Sequence, residues 1–142
     1  MSELRCYHFH HWYLGGAQIG IQSAHAQSRL FAKYRQESDQ KTMLYDWVDN
    51  HETMIVLNGG GSSNMHNTWN NVIDNKDNPY PYAKFNESPE AVEGLLTNIS
   101  IILPEEIYNS AAILRSGGKL STRFSSFDYM LINVLKSSKL MG

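Results

Sequence analysis

Apolar residues along the chain follow two rhythms, short continuous runs and stripes at helical spacing, and the two alternate. Leu4 to Leu14 is a run dense in Tyr, Phe, His and Trp that stops at Gly15-Gly16 and predicts a first strand. From Ala17 to about Gln36, Ile19, Ala26, Leu30 and Tyr34 recur at helical spacing. Gly20 inside that helix lowers its propensity, so close packing against a sheet is its expected role. A second helix is predicted from about Asp39 to Asn50, where Met43/Leu44 and Trp47/Val48 lie four apart. Met54-Ile55-Val56-Leu57 is a continuous apolar run, the pattern of a strand buried on both faces. A third helix carries Met65, Trp69, Val72 and Ile73 on one face.

The second half continues the alternation. Asn78-Pro79-Tyr80-Pro81 marks a turn, and Tyr82 to Phe85 reads as an edge strand because the prolines precede it. Ser88-Pro89-Glu90 has the form of a helix start. Asn98 to Leu103 is a fourth strand, and Pro104-Glu105-Glu106 opens a helix with Ile107, Ala111 and Leu114. After Ser116-Gly117-Gly118, a last amphipathic helix holds Phe127, Met130, Leu131 and Val134. With no repeat or linker, this predicts one α/β domain over residues 1–142, a small mixed four-stranded sheet flanked by helices in two or three layers. Residues 4–116 form the expected core, and residues 119–142 a C-terminal helical extension added to it.

Composition narrows the class. At 142 residues, 42% hydrophobic and 18% charged, the chain is large enough to close a core. A single Cys6 excludes an internal disulfide and predicts a reducing compartment. Met1-Ser2-Glu3-Leu4-Arg5 has no apolar signal region, and no run is long enough to span a membrane, so a cytoplasmic protein without membrane contact is expected. A net charge of −2 argues against gripping long nucleic acid. Positive charge gathers late, with Arg115, Lys119, Arg123, Lys136 and Lys139 against Asp128 from Ile113 onward.

Several constellations invite chemistry. Gly59-Gly60-Gly61-Ser62-Ser63 follows a strand and precedes a helix, so successive N–H groups can form an anion cradle with the helix dipole behind it. It lacks the Lys-Ser/Thr ending of a Walker loop, and a plain connection with a serine cap is the competing account. His8 and His10 project to one face of the first strand beside His11, but no carboxylate or Cys at matching spacing completes a metal set. No metal and no cofactor are therefore expected. Tyr7, Trp12, Tyr13, Tyr80, Tyr82 and Phe85 are candidates for stacking on a base, with Tyr80 and Tyr82 beside a turn the better placed. No Ser-His-Asp order, nucleophile elbow or Cys nucleophile can be read.

Ala17-Gln18-Ile19-Gly20-Ile21-Gln22-Ser23-Ala24-His25-Ala26 resembles the pattern Gly-Lys-Ile-Ala-Ala-Gln-Cys/Ser-x-His-Ala that opens the first helix of type-2 peptidyl-tRNA hydrolases. Ile19, Gln22, Ser23, His25 and Ala26 agree. Pro81-Tyr82-Ala83-Lys84-Phe85-Asn86-Glu87 and Ile101-Ile102-Leu103-Pro104-Glu105-Glu106-Ile107 are similar to later segments of that family, chiefly by order. The resemblance covers about residues 4–116. It implies a site with Gln18, His25 and Glu87 at the catalytic positions and Gln22, Ser23 and Tyr82 as ligand contacts. The family's catalytic lysine falls on Gln18, which carries no charge, and its aspartate near Asn86 or Glu87.

Two functions follow from this. One is a protein with the hydrolase fold that binds a nucleotide-type small molecule without efficient cleavage, the glycine loop cradling its phosphate. Small asparagine-rich chains of this kind often come from bacterial viruses, and by analogy proteins there can act by sequestering a nucleotide signal in the host cytoplasm. The other is an active hydrolase of peptidyl-tRNA acting on the tRNA 3′ end, with His25 and Glu87 as the acid–base pair. That reading needs Arg115, Lys119 or Lys84 to replace the missing charge. The sequence leaves a homo-oligomer open.

Overall fold

The computed structural model describes residues 2–88 and 94–141. Four strands, β1 (Leu4–His10), β2 (Thr53–Asn58), β3 (Tyr82–Asn86) and β4 (Leu96–Pro104), form one mixed sheet in the order β2-β1-β4-β3. β1 and β2 are parallel, and β4 runs antiparallel to both β1 and β3. The carboxyl ends of β1, β2 and β3 therefore meet the start of β4 at one end of the sheet.

Among the described residues, α1 (Ala17–Lys33) and α2 (Asp39–Asn50) join β1 to β2. α3 (Ser62–Thr68) runs on into a single π turn at Trp69–Ile73, and α4 (Glu105–Arg115) and α5 (Ser126–Lys136) follow β4. Strand alternation sends Cys6 and Ile102 to one face, where Leu30, Leu44 and Trp47 of α1 and α2 cover them. Tyr7, Phe9, Ile99 and Ile101 face the other way, against Met65, Ile107, Phe127 and Leu131. The result is three layers.

Several expectations need correction. β1 ends at His10 instead of Leu14, because Trp12 N–H donates to the Gly60 carbonyl (2.9 Å) and Leu14 N–H to that of His11 (3.3 Å), turning the chain away from the sheet. β2 is not buried on both faces: it is an outer strand, and Met54 is exposed. Its free edge is partly covered by the C-terminal segment, where Leu57 bridges Leu140 and Asn58 N–H donates to the Lys139 carbonyl. α5 is no appendage, since Phe127, Leu131, Ile132 and Leu135 belong to the same buried cluster as Tyr7 and Phe9. Gly20 packs against nothing, and a β-carbon added there would meet open space. The expected helix start at Ser88-Pro89-Glu90 falls mostly on residues 89–93, outside the described residues. No helix among the described residues is long and apolar enough to cross a membrane.

Candidate functional site

The face beneath α1 changes character along its length. Toward the start of β1 it is apolar, with Leu4, Cys6 and Ile102 under Leu30 and Leu44. Toward the carboxyl end of β1 it is polar and still buried, with His8, His10, Thr97, Asn98 and Ser100 under Gln22 and Ser23. Buried polar atoms must be partnered, and here they partner one another. His8 Nδ1–H donates to Asn98 Oδ1 at 2.7 Å, and the Asn98 amide donates to His10 Nδ1 at 3.2 Å and Ser23 Oγ at 3.3 Å. That fixes the tautomers. His8 Nε2 is left to accept from the Gln27 amide at 3.2 Å, with the Cys6 thiol at 3.4 Å, and His10 Nε2–H donates to the Leu14 carbonyl at 3.1 Å.

His8 and His10 are neutral in this arrangement. Burial pushes His8 down to about 4, against the opposing effect of its Asn98 bond, and lowers His10 and His11 as well. No group of three or more His, Cys, Asp or Glu side chains among the described residues could hold a metal ion. The imidazoles brace the end of the sheet.

The α1 candidates lie beside this layer. Gln22 is buried, its amide donating to Gln18 Oε1 at 3.0 Å. The Thr97 hydroxyl lies 3.2 Å from Gln22 Oε1 and 3.3 Å from the Phe85 carbonyl, donating to one at a time. Gln18 is exposed at the helix start, and exposed His25 stacks on Phe85 with ring centroids 4.4 Å apart. Glu87 follows two residues later, its N–H bonded to the Leu95 carbonyl at 2.9 Å. Gln18, Gln22, Ser23, His25 and Glu87 thus gather at one end of the sheet. No Lys or Arg side chain is hydrogen-bonded or ion-paired to any of them among the described residues. The Lys84 ammonium lies 5.0 Å from the Trp69 ring, and Arg115 donates to the carbonyls of Leu135, Lys136 and Ser138.

Tyr82 does not join them. It opens β3 at the opposite end, pairs with Ile101, and carries Lys33 Nζ 3.3 Å from its ring centroid. Burial and the Asp74 carboxylate, which its hydroxyl contacts at 3.1 Å, push it up to about 12.

The glycine loop sits at the same end as the α1 group, but toward the other face. Its geometry is set by close approach. Gly60 has φ +79°, and a methyl there would press on the Asn64 side chain, while one at Gly59 would collide with the Met65 sulfur. Gly59 N–H donates to the His10 carbonyl (2.8 Å) and Gly60 N–H to Asn58 Oδ1 (2.8 Å), so these two do not converge on an anion. Ser62 and Ser63 open α3 behind Gly61 without a side-chain cap, and His11 Nε2–H donates to Ser62 Oγ at 3.1 Å. Two open grooves adjoin the loop. One of about 640 Å³ lies between α3 and α5, where Gly60 meets Asn58, Asn67, Asn133 and Lys139. The other, about 620 Å³, starts at Gly61 and Ser63 and runs past Asn67 and Asn71. The α1 candidates line neither.

The aromatic expectation is reversed. Tyr80 is only 8% exposed, its hydroxyl donating to Asp128 at 2.7 Å. Trp12 and Tyr13, in the turn after β1, are 55% and 75% exposed and meet edge to face at 6.0 Å. Their run of aromatic neighbours reads as continuing strand, and only Gly15-Gly16 just beyond them signals a turn. No protein-family model matches the chain, and no curated protein sequence matches it.

Proposed function

We propose that the protein binds a small nucleotide-type ligand at the glycine-loop end of the sheet and does not hydrolyse it efficiently. The observation that carries this reading is the groove beside Gly60. Its side chains are mainly Asn, Ser and Thr over a floor of Val72, Met130 and Val134, and among the described residues Lys139 is the one charged residue lining it. Side-chain amides offer both donors and acceptors, which suits sugar hydroxyls, while an apolar floor and one cation suit the sugar ring and a phosphate. In this reading the N–H groups of Gly61 and Ser63, in the adjoining groove, supply further anion contacts, since those of Gly59 and Gly60 are engaged.

A type-2 peptidyl-tRNA hydrolase-like fold is part of the same reading. It is supported by the order of strands and helices and by Gln18 to Ala26 opening the first helix. The active-hydrolase alternative has less support, because Lys84 and Arg115 are occupied away from Gln18.

Calorimetric titration with nucleoside monophosphates and cyclic dinucleotides tests the proposal. Wild type should bind at least one of them. Lys139→Ala, which removes an exposed side chain and leaves the backbone bond to Asn58 in place, should weaken that binding by about tenfold or more. Absence of binding by wild type across the panel would overturn the reading.

A further inference from the structure

Trp12 and Tyr13 are exposed aromatic residues in a turn that is otherwise tightly held. Trp12 N–H is bonded to the Gly60 carbonyl at 2.9 Å, Tyr13 N–H to His11 Nδ1 at 3.2 Å, and the Leu14 carbonyl to His10 Nε2–H at 3.1 Å. The His11–Ser62 bond ties the same turn to the start of α3. Trp12 lies against Gly61, where an added β-carbon would come within 2.8 Å of the indole nitrogen. The backbone of the turn is therefore held and the Trp12 ring lies on Gly61, so two large rings stand in water beside the glycine loop, although burying them would be favourable.

We propose that Trp12 and Tyr13 form a stacking platform for the base of the ligand, which rests on the nucleotide reading above. A fixed ring loses little entropy on binding, and every base presents a π-face to it. The surroundings favour a base over a protein partner: the exposed residues that follow the pair, Gly15, Gly16, Ala17 and Gln18, carry no large apolar side chain, and the groove starting at Gly61 is lined by Asn, Ser and His66. A protein-docking patch needs a broader apolar core.

Trp12 is its own reporter, because Trp47 and Trp69 are 3% and 8% exposed. Iodide should quench Trp12 selectively in the free protein, and the best-binding nucleotide of the panel should protect it. Trp12→Ala and Tyr13→Ala should each lose about 5- to 100-fold in affinity, with Trp12→Phe close to wild type, since base stacking is sequence-tolerant and needs only a ring. Circular dichroism unchanged from wild type would show that the variants fold, and Tyr13→Ala removes the more exposed ring. Wild-type binding that neither alanine variant weakens would overturn the platform and leave the nucleotide reading standing. Absence of wild-type binding would overturn both. Protection of Trp12 that rises with protein concentration alone would also overturn the platform, assigning the rings to a contact between copies of this chain.

Discussion

At the scale of single residues, the chemistry turns on charges that are missing or suppressed. His8 is neutral because burial costs its charged form more than the Asn98 bond returns. Its pKa is about 4 folded against an ordinary 6.5, so the unfolded chain binds the extra proton first as pH falls. The stabilisation is complete above pH 6.5 and is lost as pH falls from there toward 4, by about 3 kcal/mol at most for His8. His10 and His11 shift in the same direction and steepen the loss. Urea midpoints should therefore decline between pH 6.5 and 4.5, and a flat profile across that window would contradict the neutral network. On the proposed hydrolase-like reading, Gln18 is the other decisive residue. An amide at the start of α1 cannot stabilise a developing anion as an ammonium does, and losing one such donor costs about a hundred- to a thousandfold in rate. Wild type should release little product from peptidyl-tRNA analogues, and Gln18→Lys should raise the rate. Wild-type turnover that Gln18→Lys fails to increase would contradict the assignment.

At the scale of elements, what the sequence reveals depends on whether the signal is local. α2 was legible to its ends: Ser38 caps it through the Lys41 N–H, and Leu44 and Trp47 are its buried stripe. The start of α1 after Gly16 and of α4 after Pro104 were legible from the glycines and the proline that precede them, with no side-chain cap at either. Position within the sheet was not, because an apolar run such as Met54 to Leu57 does not say how many neighbours its strand will have. Tyr80 looked exposed beside two prolines, and only its tertiary partner Asp128 shows why it is buried. Gly20 is a local misfit with no tertiary compensation. Gly20→Ala should raise stability by about 0.5–1 kcal/mol in urea unfolding, because nothing obstructs the methyl and the helix gains propensity. Destabilisation would mean that the glycine answers a need outside these contacts.

At the scale of the whole molecule, the topology explains why residues far apart in sequence share one end. Three strands finish there and β4 begins there, so the turns carrying Trp12, Gly59 to Ser63 and Glu87 converge without any local signal of it. Of the site residues drawn from the α1 resemblance and the glycine loop, this convergence gathers all but Tyr82, and it places the α1 group and the glycine loop toward opposite faces of the sheet. It singles out Trp12 and Tyr13 from the stacking candidates and adds the asparagine-lined grooves along α3, one of them between α3 and α5. Arg115, at the end of α4, ties that helix to the end of α5 by donating to three carbonyls there. The central claim is that this end binds a nucleotide-type molecule and leaves it intact. Native mass spectrometry of the 16.2 kDa chain, as purified and after incubation with the nucleotide panel, tests it most directly. The account predicts an adduct whose mass, released on denaturation, is that of an unaltered nucleotide. A chain that stays bare throughout, or one that releases only cleaved product, would contradict it.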